Sequence, residues 1–299
     1  MERPVGAAPI VSIVTPTLNA ERFIDATIQS VLAQTYSPIE FLVVDGGSTD
    51  ATATIVKGHG SAVTFLPLPG SSQAQAVNAG FRQSVGRFFT FLNADDTLSK
   101  DAISSAVALL ECHPDADVAY GEGEHVDERG LRLGPYPVGA FTLEALQSEC
   151  TICQPATLIR RDAFERVGGL DESLHYALDY DLWIRLARQG CSAARSSETW
   201  AFSRMHPENK TIGRRSETIR ETIAVLRKHY GYVPFNWAHA LAGYLVDGKD
   251  QFFTPPSGSI RRTLLTACIG MRENSGKRSM FLKEFFHEIG RLTVEARRG

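Results

Sequence analysis

The sequence predicts an α/β fold, with a mostly parallel central sheet flanked by helices and a helical C-terminal extension. Three observations lead there. The first hundred residues alternate short β-branched runs with segments of helical periodicity, the pattern of repeated strand–helix–strand units. Those runs are apolar nearly throughout rather than at every second position, as in strands covered on both faces. Beyond Ser216 the helical pattern continues to the end, interrupted at Pro255-Pro256-Ser257-Gly258.

Ile10 to Thr15 is the first strand-like run. It stops at Pro16, and Phe23, Ile24, Ile28, Val31 and Leu32 follow at helical spacing. The second run, Ile39 to Val44, ends at Asp45-Gly46-Gly47-Ser48-Thr49-Asp50, after which Ala51 to Lys57 is compatible with helix. A third strand is expected near Ala62 to Leu66, a helix from about Gln73 to Ser84, and a fourth strand from Phe88 to Leu92, closing on Asn93-Ala94-Asp95-Asp96. From about Asp115 the style becomes α+β. Val118 to Tyr120 and Ala156 to Ile159 read as strands, with a turn at Asp127-Glu128-Arg129-Gly130. Asp179 to Arg188 reads as a helix with Leu182, Trp183, Leu186 and Ala187 on one face. The expected organisation is one domain over 1–215 and a helical region over 216–299, basic and amphipathic toward its end.

Composition narrows the function. The 299 residues are 43% hydrophobic and 22% charged, enough for one large or two modest cores and against a disordered or collagenous chain. Lys plus Arg number 31 against 34 for Asp plus Glu, so the overall balance gives no footprint for wholesale nucleic-acid binding, a small local basic patch remaining open. Met1 to Pro9 lacks the apolar stretch of a secretory signal, and no apolar run approaches the roughly 20 residues that span a bilayer. Five cysteines (Cys112, Cys150, Cys153, Cys191 and Cys268) are an odd number in a chain long enough to fold without staples, which points to reduced thiols and a cytoplasmic setting. Cys150 and Cys153 have the spacing of one half of a zinc knuckle, but no second Cys/His pair follows at a suitable distance.

Chemistry-bearing residues gather at strand ends: Thr15, Thr17 and Asn19 after the first, Asp45 after the second, Asn93, Asp95 and Asp96 after the fourth. Ligands of such sheets sit outside those ends. A divalent cation on a diphosphate needs one or two carboxylates, phosphate and water supplying the rest, which Asp95 with Asp96 could meet. The same residues are also common in turns for local reasons. Asp45 could brace its glycine turn or bind a ribose or base. Asp179 could hold the first amides of its helix or act as a general base. His206 could be a ligand or a loop histidine.

Taken in order, these segments resemble glycosyltransferase family 2, inverting enzymes of the GT-A fold, a Rossmann-like arrangement. The resemblance runs from about residue 10 to 210 through Ser12 to Asn19, Ser30 to Tyr36, Val43 to Asp50, Gln73 to Gly80, Asn93 to Asp96, Gln154-Pro155-Ala156, Gly168 to Glu172, Leu178 to Trp183 and Arg204-Met205-His206. It implies a donor nucleotide pocket of Thr15, Pro16, Thr17, Asn19, Asp45, Gln73, Asn78 and Asn93. It implies Mg²⁺ or Mn²⁺ on Asp95 and His206, with Asp96 and Lys210 supporting the diphosphate, and Asp179 as the catalytic base. Asn93 stands where the family has the first acid of its Asp-x-Asp motif, Leu178 where many relatives have Glu, and Gln75 where close relatives have an acid.

The implied reaction moves a sugar from a nucleoside-diphosphate donor, UDP or dTDP, to a hydroxyl of a glycan or lipid-linked acceptor, with inversion, in cell-surface polysaccharide or glycolipid synthesis. The alternative is a catalytically silent GT-A domain that binds nucleotide or glycan as a scaffold, and a second copy of the chain is admitted as a partner. From Gly258 to Gly299 nine basic residues stand against four acids, with Phe281, Leu282, Phe285, Phe286, Ile289 and Leu292 at helical spacing. That composition suits either a peripheral helix on the inner face of an anionic membrane or a terminal helix packed on the domain.

Overall fold

Val11–Thr17 forms strand β1, and all of it is buried, as expected of a largely apolar strand covered on both faces. The computed structural model describes residues 10–248 and 259–295, with side chains to 292. Met1 to Pro9, the interruption at Pro255 to Gly258, and Arg297 and Arg298 lie outside the described residues. β1 pairs in parallel with β2 (Ile39–Asp45) on one side and β4 (Phe88–Phe91) on the other, and β2 pairs in parallel with β3 (Thr64–Pro67). Helices α1 (Ile24–Leu32), α2 (Thr52–Gly58) and α3 (Gln73–Gln83) lie between these strands in the chain. In α3 a Cβ at Gly80 would stand 2.6 Å from a methyl of Val14, so glycine lets that helix settle on β1.

The order β3-β2-β1-β4 puts a topological switch point between β1 and β4, where an α/β sheet opens a crevice at its carboxyl ends. Beyond β4 the sheet is mixed. β5 (Thr97–Leu98) and α4 (Ala102–Cys112) follow β4 in the chain, then β6 (Val118–Val126) and β7 (Arg132–Pro135) form an antiparallel pair, the Asp127 to Leu131 turn being too short for a parallel crossover. Next come α5 (Leu143–Ser148), β8 (Thr157–Arg160), α6 (Arg161–Arg166), α7 (Leu178–Arg188) and β9 (Ala193–Arg204). β8 opposes β4, β6 opposes β8, and β9 runs with β6, so two reversals return β6 and β9 to the direction of β1 to β4. The carboxyl ends of β1, β2, β4, β6 and β9 therefore face one edge, and Arg204 at the end of β9 arrives beside the segment that follows β4.

The chain divides into two compact units, Met1–Leu146 with Thr151–His206, and Gln147–Cys150 with Pro207–Gly299. The first holds the sheet, with a core that includes Val11, Ile13, Ile28, Val43, Phe88, Leu110 and Leu158. Removing each such side chain from water stabilises the fold by about 1.5–3 kcal/mol. The second is helical: α8 (Lys210–Gly213), α9 (Arg215–Tyr230), α10 (Phe235–Asp247), α11 (Ile260–Glu273) and α12 (Arg278–Glu295). Its core contains Ile219, Ile223, Phe235, Leu241, Ile269, Phe281 and Phe285, with Ile289 and Leu292 packed against it. The apolar face noted in the tail is thus largely interior, and Phe286 is its exposed member. No described helix is long and apolar enough to cross a membrane.

Candidate active site

The crevice edge is built from the ends of β1, β2 and β4. Thr15 and Thr17 are buried, and their hydroxyls have no hydrogen-bond partner among the described residues. Asp45 stands in register with Thr17. Its carboxylate accepts the Ser48 backbone N–H at 3.2 Å and the Ser48 hydroxyl, so the turn-bracing role is present. Gly47 takes φ +101, where a Cβ would also press to 3.3 Å of Pro69, and this keeps the turn tight against the Pro69 segment. Asn19, in the left-handed region at φ 51, accepts from Thr49 N–H at 2.8 Å and donates its own N–H to Ser48 Oγ, tying the end of β1 to the turn after β2.

After β4 the chain turns on a polar network. Asn93 Oδ1 accepts from Gln73 Nε2 at 2.8 Å, and Asn93 Nδ2 donates to Asp96 Oδ2 at 3.1 Å. Gln154 donates to the Phe91 carbonyl at 2.6 Å and accepts from Asn93 at 3.5 Å. Asp96 is buried, accepts from Arg204 N–H at 3.0 Å, and is pushed up to about 8 by burial and the neighbouring Asp95 carboxylate. Asp95 remains partly exposed and meets His206 Nε2 at 3.0 Å. The His206 ring lies 4.8 Å from that of Phe23.

Arg204 ties this corner together. Its Nε donates to the Asp95 carbonyl at 2.9 Å, its NH1 to the carbonyls of Asp127 and Glu128 at 3.1 and 2.9 Å, and its guanidinium lies over Phe23 at 5.1 Å. Thr27 of α1 donates to the carbonyls of Ala94 and Asp96 at 2.9 and 2.8 Å.

Asp179 is in the first turn of α7, where its Oδ1 accepts the Tyr180 N–H at 2.8 Å. Burial pushes its carboxyl up to about 6, the amide hydrogen bond opposing that rise. Burial raises the pKa of the interior Cys153 thiol, with the Asp96, Asp179 and Glu122 carboxylates adding to the rise.

Some residues singled out in the sequence do other work. Asn78 donates to the Leu170 carbonyl and Glu172, and accepts from Leu170 N–H at 2.9 Å, so its amide holds the loop after α6. Gln75 closes a capping box with Ser72 at the start of α3, its Oε1 accepting the Ser72 N–H at 2.8 Å. Lys210 belongs to the second unit, where it begins α8. Roles the sequence reading passed over are those of Phe23 against His206, Thr27, Gln154 as an amide clamp and Arg204 as a tie; for the last two the Gln154-Pro155-Ala156 and Arg204-Met205-His206 runs carried a signal.

Asp95 and His206 are oxygen and nitrogen donors meeting at one point on the crevice edge, a pair that suits a divalent cation whose other positions are filled by phosphate and water. No group of three or more potential ligands occurs among the described residues, so a cation there would rely on those outside ligands.

Comparison with known proteins matches residues 12–168 to the family described as Glycosyl transferase family 2. An uncharacterized glycosyltransferase of Rickettsia prowazekii is 30% identical over 221 residues, covering 68% of this chain and 66% of that protein, just under two thirds of its length. A PGL/p-HBAD biosynthesis glycosyltransferase of Mycobacterium bovis is 32% identical over 184 residues, 60% of this chain and 70% of that one. Among solved structures, S. aureus TarS 1-349 in complex with UDP-GlcNAc gives a TM-score of 0.60 at 17% identity, covering 87% of this chain and 79% of that one. The mannosyltransferase PcManGT from Pyrobaculum calidifontis, in complex with GDP-Man and Mn²⁺, gives 0.58 at 16% identity over 93% and 90%. At these identities the likeness concerns the fold, a mixed α/β GT-A arrangement with a helical C-terminal region.

Proposed function

Because the chain belongs to glycosyltransferase family 2, we propose that it transfers a sugar from a nucleoside-diphosphate donor to a hydroxyl acceptor with inversion at the anomeric carbon. One observation carries the reading. Asp95 and His206, 111 residues apart in sequence, meet at 3.0 Å on the same crevice edge as two buried threonine hydroxyls that have no partner among the described residues. An unsatisfied buried hydroxyl costs about 1–3 kcal/mol, and a nucleoside seated against Thr15 and Thr17 removes that cost. Asp45 and Asn19 shape the turn against which the nucleoside lies, and Gln73 and Asn93 present their paired amides to the ribose and diphosphate.

Asp95 and His206 would hold Mg²⁺ or Mn²⁺, which when bound would neutralise charge on the diphosphate leaving group. The chain's own residues do the rest. Arg204 and Thr27 fix the backbone that carries Asp95. Asp179, deprotonated above about pH 6, accepts the proton of the attacking hydroxyl, and attack from the face opposite the diphosphate inverts the centre. Uridine or thymidine diphosphate is the proposed carrier. TarS was solved with UDP-GlcNAc, which supports a nucleotide-sugar donor. The proposed acceptor is a glycan or lipid-linked hydroxyl in cell-surface polysaccharide or glycolipid synthesis. The M. bovis relative, named for PGL/p-HBAD biosynthesis, supports the glycolipid option. In this reading the enzyme works in the cytoplasm at the inner face of the membrane, and residues 1–215 form the transferase domain.

The test is a panel of nucleotide-sugars offered to the purified chain with Mn²⁺, following nucleoside-diphosphate release and glycosylated product. Turnover with one or a few donors, abolished by chelation, is expected. Tight, metal-dependent donor binding without release of nucleoside diphosphate overturns the enzymatic reading in favour of a binding scaffold.

A further inference from the structure

The charges of α11 and α12 are sorted by side. Glu273 is held by Arg227 at 2.9 Å and Arg272 at 2.8 Å. Glu284 accepts from the Tyr232 hydroxyl and from Phe235 N–H at 3.1 Å, and Glu288 pairs with Arg291 at 2.8 Å. Each carboxylate described on the two helices is therefore engaged. Residues that share the outward arcs are of another kind. At 3.6 residues per turn, Ile260, Leu264 and Cys268 line one arc of α11 with Arg261 and Arg272 along its edge, while Met280, Lys283, Phe286 and His287 share an arc of α12.

These arcs are open to solvent. Ile260 is 81% exposed, Leu264 62%, Met280 52% and Phe286 70%. Arg261 and Lys283 are exposed as well, and neither makes an ion pair with a described carboxylate. The opposite face of α12, with Phe281 and Phe285, is already in the core of the second unit, so the outward apolar residues are additional to what folding uses.

We propose that the outward arcs of α11 and α12 dock this unit on an anionic phospholipid surface, Leu264 and Phe286 entering the interface and Arg261 and Lys283 meeting the headgroup phosphates. Exposed apolar residues beside cations that pair with no described carboxylate, on helices whose described carboxylates are already engaged, complement a surface that is apolar beneath and negative above. A second copy of the chain fits less well, because a two-fold contact through this face sets its cations against their own kind. The inference gives residues to the peripheral placement proposed above. It is independent of the sugar-transfer chemistry, since vesicle binding needs neither donor nor acceptor.

The experiment uses the full chain with vesicles of phosphatidylcholine alone and with about one third phosphatidylglycerol, comparing wild type, R261Q/K283Q and L264E/F286E. Wild type is expected to float with the anionic vesicles only and to be released by high salt. R261Q/K283Q is expected to lower the partition coefficient about 25-fold, at about fivefold per cation, and L264E/F286E to abolish flotation. Unchanged thermal midpoints show that the exposed substitutions leave the fold intact. Equal recovery with neutral vesicles, no recovery with either, or wild-type partition by R261Q/K283Q overturns the proposal. So does a dimer detected by sedimentation and lost in L264E/F286E without vesicle binding, which assigns the face to a second copy.

Discussion

Replacing Asp179 by Asn separates the stability of this site from its chemistry. The amide keeps the shape and can still accept the Tyr180 N–H through Oδ1. It removes a charge that burial disfavours. The carboxyl is raised from 3.8 to about 6 in the fold, a difference worth at most about 3 kcal/mol at 1.36 kcal/mol per unit. Partial exposure of the residue reduces that to about 1–2 kcal/mol. Because the folded value is raised, the protonated group is the one the fold favours. Its stabilising contribution is complete below about pH 4 and is lost as pH rises through about 6. Asp179→Asn is therefore expected to unfold in urea like wild type near pH 4 and to be about 1–2 kcal/mol more stable at pH 8. The same substitution is expected to lower turnover by about 10²- to 10⁴-fold with donor affinity unchanged. Urea titrations at several pH values, nucleotide-sugar calorimetry and product formation on the same preparations measure all three quantities. A stability difference that does not vary with pH refutes the buried-charge argument, and turnover within a factor of ten of wild type refutes the assignment of the base.

Four other outcomes follow from the same geometry. Wild-type turnover is expected to fall on the acid side with a midpoint near pH 6, and a profile flat down to pH 4.5 speaks against Asp179. His206→Ala is expected to weaken Mn²⁺ binding, measured by calorimetry with nucleoside diphosphate present, by at least about 10- to 100-fold, the loss seen when even an outer partner of a metal ligand is removed. Thr15→Val removes an unsatisfied hydroxyl, so the free protein is expected to gain about 1 kcal/mol in denaturant unfolding while its nucleotide affinity falls, opposite signs that a merely structural threonine does not produce. Gly80→Ala is expected to cost about 1–3 kcal/mol, because its methyl meets Val14 at 2.6 Å against a strand with no room to shift.

The parallel half of the sheet was legible because its strands are apolar for most of their length and stop at turns that carry Gly, Asp or Asn. β1, β2 and β4 fall within a few residues of where those runs stop. In the other half the strands at Val118 to Tyr120 and Ala156 to Ile159 were read, but not how they pair. β8 is four residues long, and whether Thr157–Arg160 pairs forward or in reverse depends on β4 and β6, which periodicity does not record. At the candidate site, residue types after the strands were readable, while their partners were not. Asn78 has the same side chain whether it faces a ribose or the Leu170 backbone, and only the loop after α6 decides. The C-terminal phenylalanines show the same limit. Helical spacing marked one apolar face, and packing in the second unit uses Phe281 and Phe285 while Phe286 points outward.

What holds Asp95 against His206 is a matter of direction in the sheet. Had β9 run opposite to β6, Arg204 would stand at the far edge and His206 with it. Because two antiparallel pairings lie between β4 and β6, the sense is restored and β9 ends beside the residues that follow β4. The turn after β4 and the turn after β6 are then joined by one guanidinium, bonded to the carbonyls of Asp95, Asp127 and Glu128. Arg204 is buried, and Lys in its place keeps the charge but cannot reach three carbonyls in fixed planar directions. Arg204→Lys is accordingly expected to lose about 2–4 kcal/mol of stability, from two charge-assisted hydrogen bonds of about 1.5–3 kcal/mol each with partial compensation. It is also expected to weaken Mn²⁺ binding more than nucleotide binding measured without metal, since Thr15, Thr17 and Asp45 lie on strands it does not touch. Equal losses of both affinities show instead that the whole crevice is loosened, and they refute the role of Arg204 as a tie specific to the Asp95 corner.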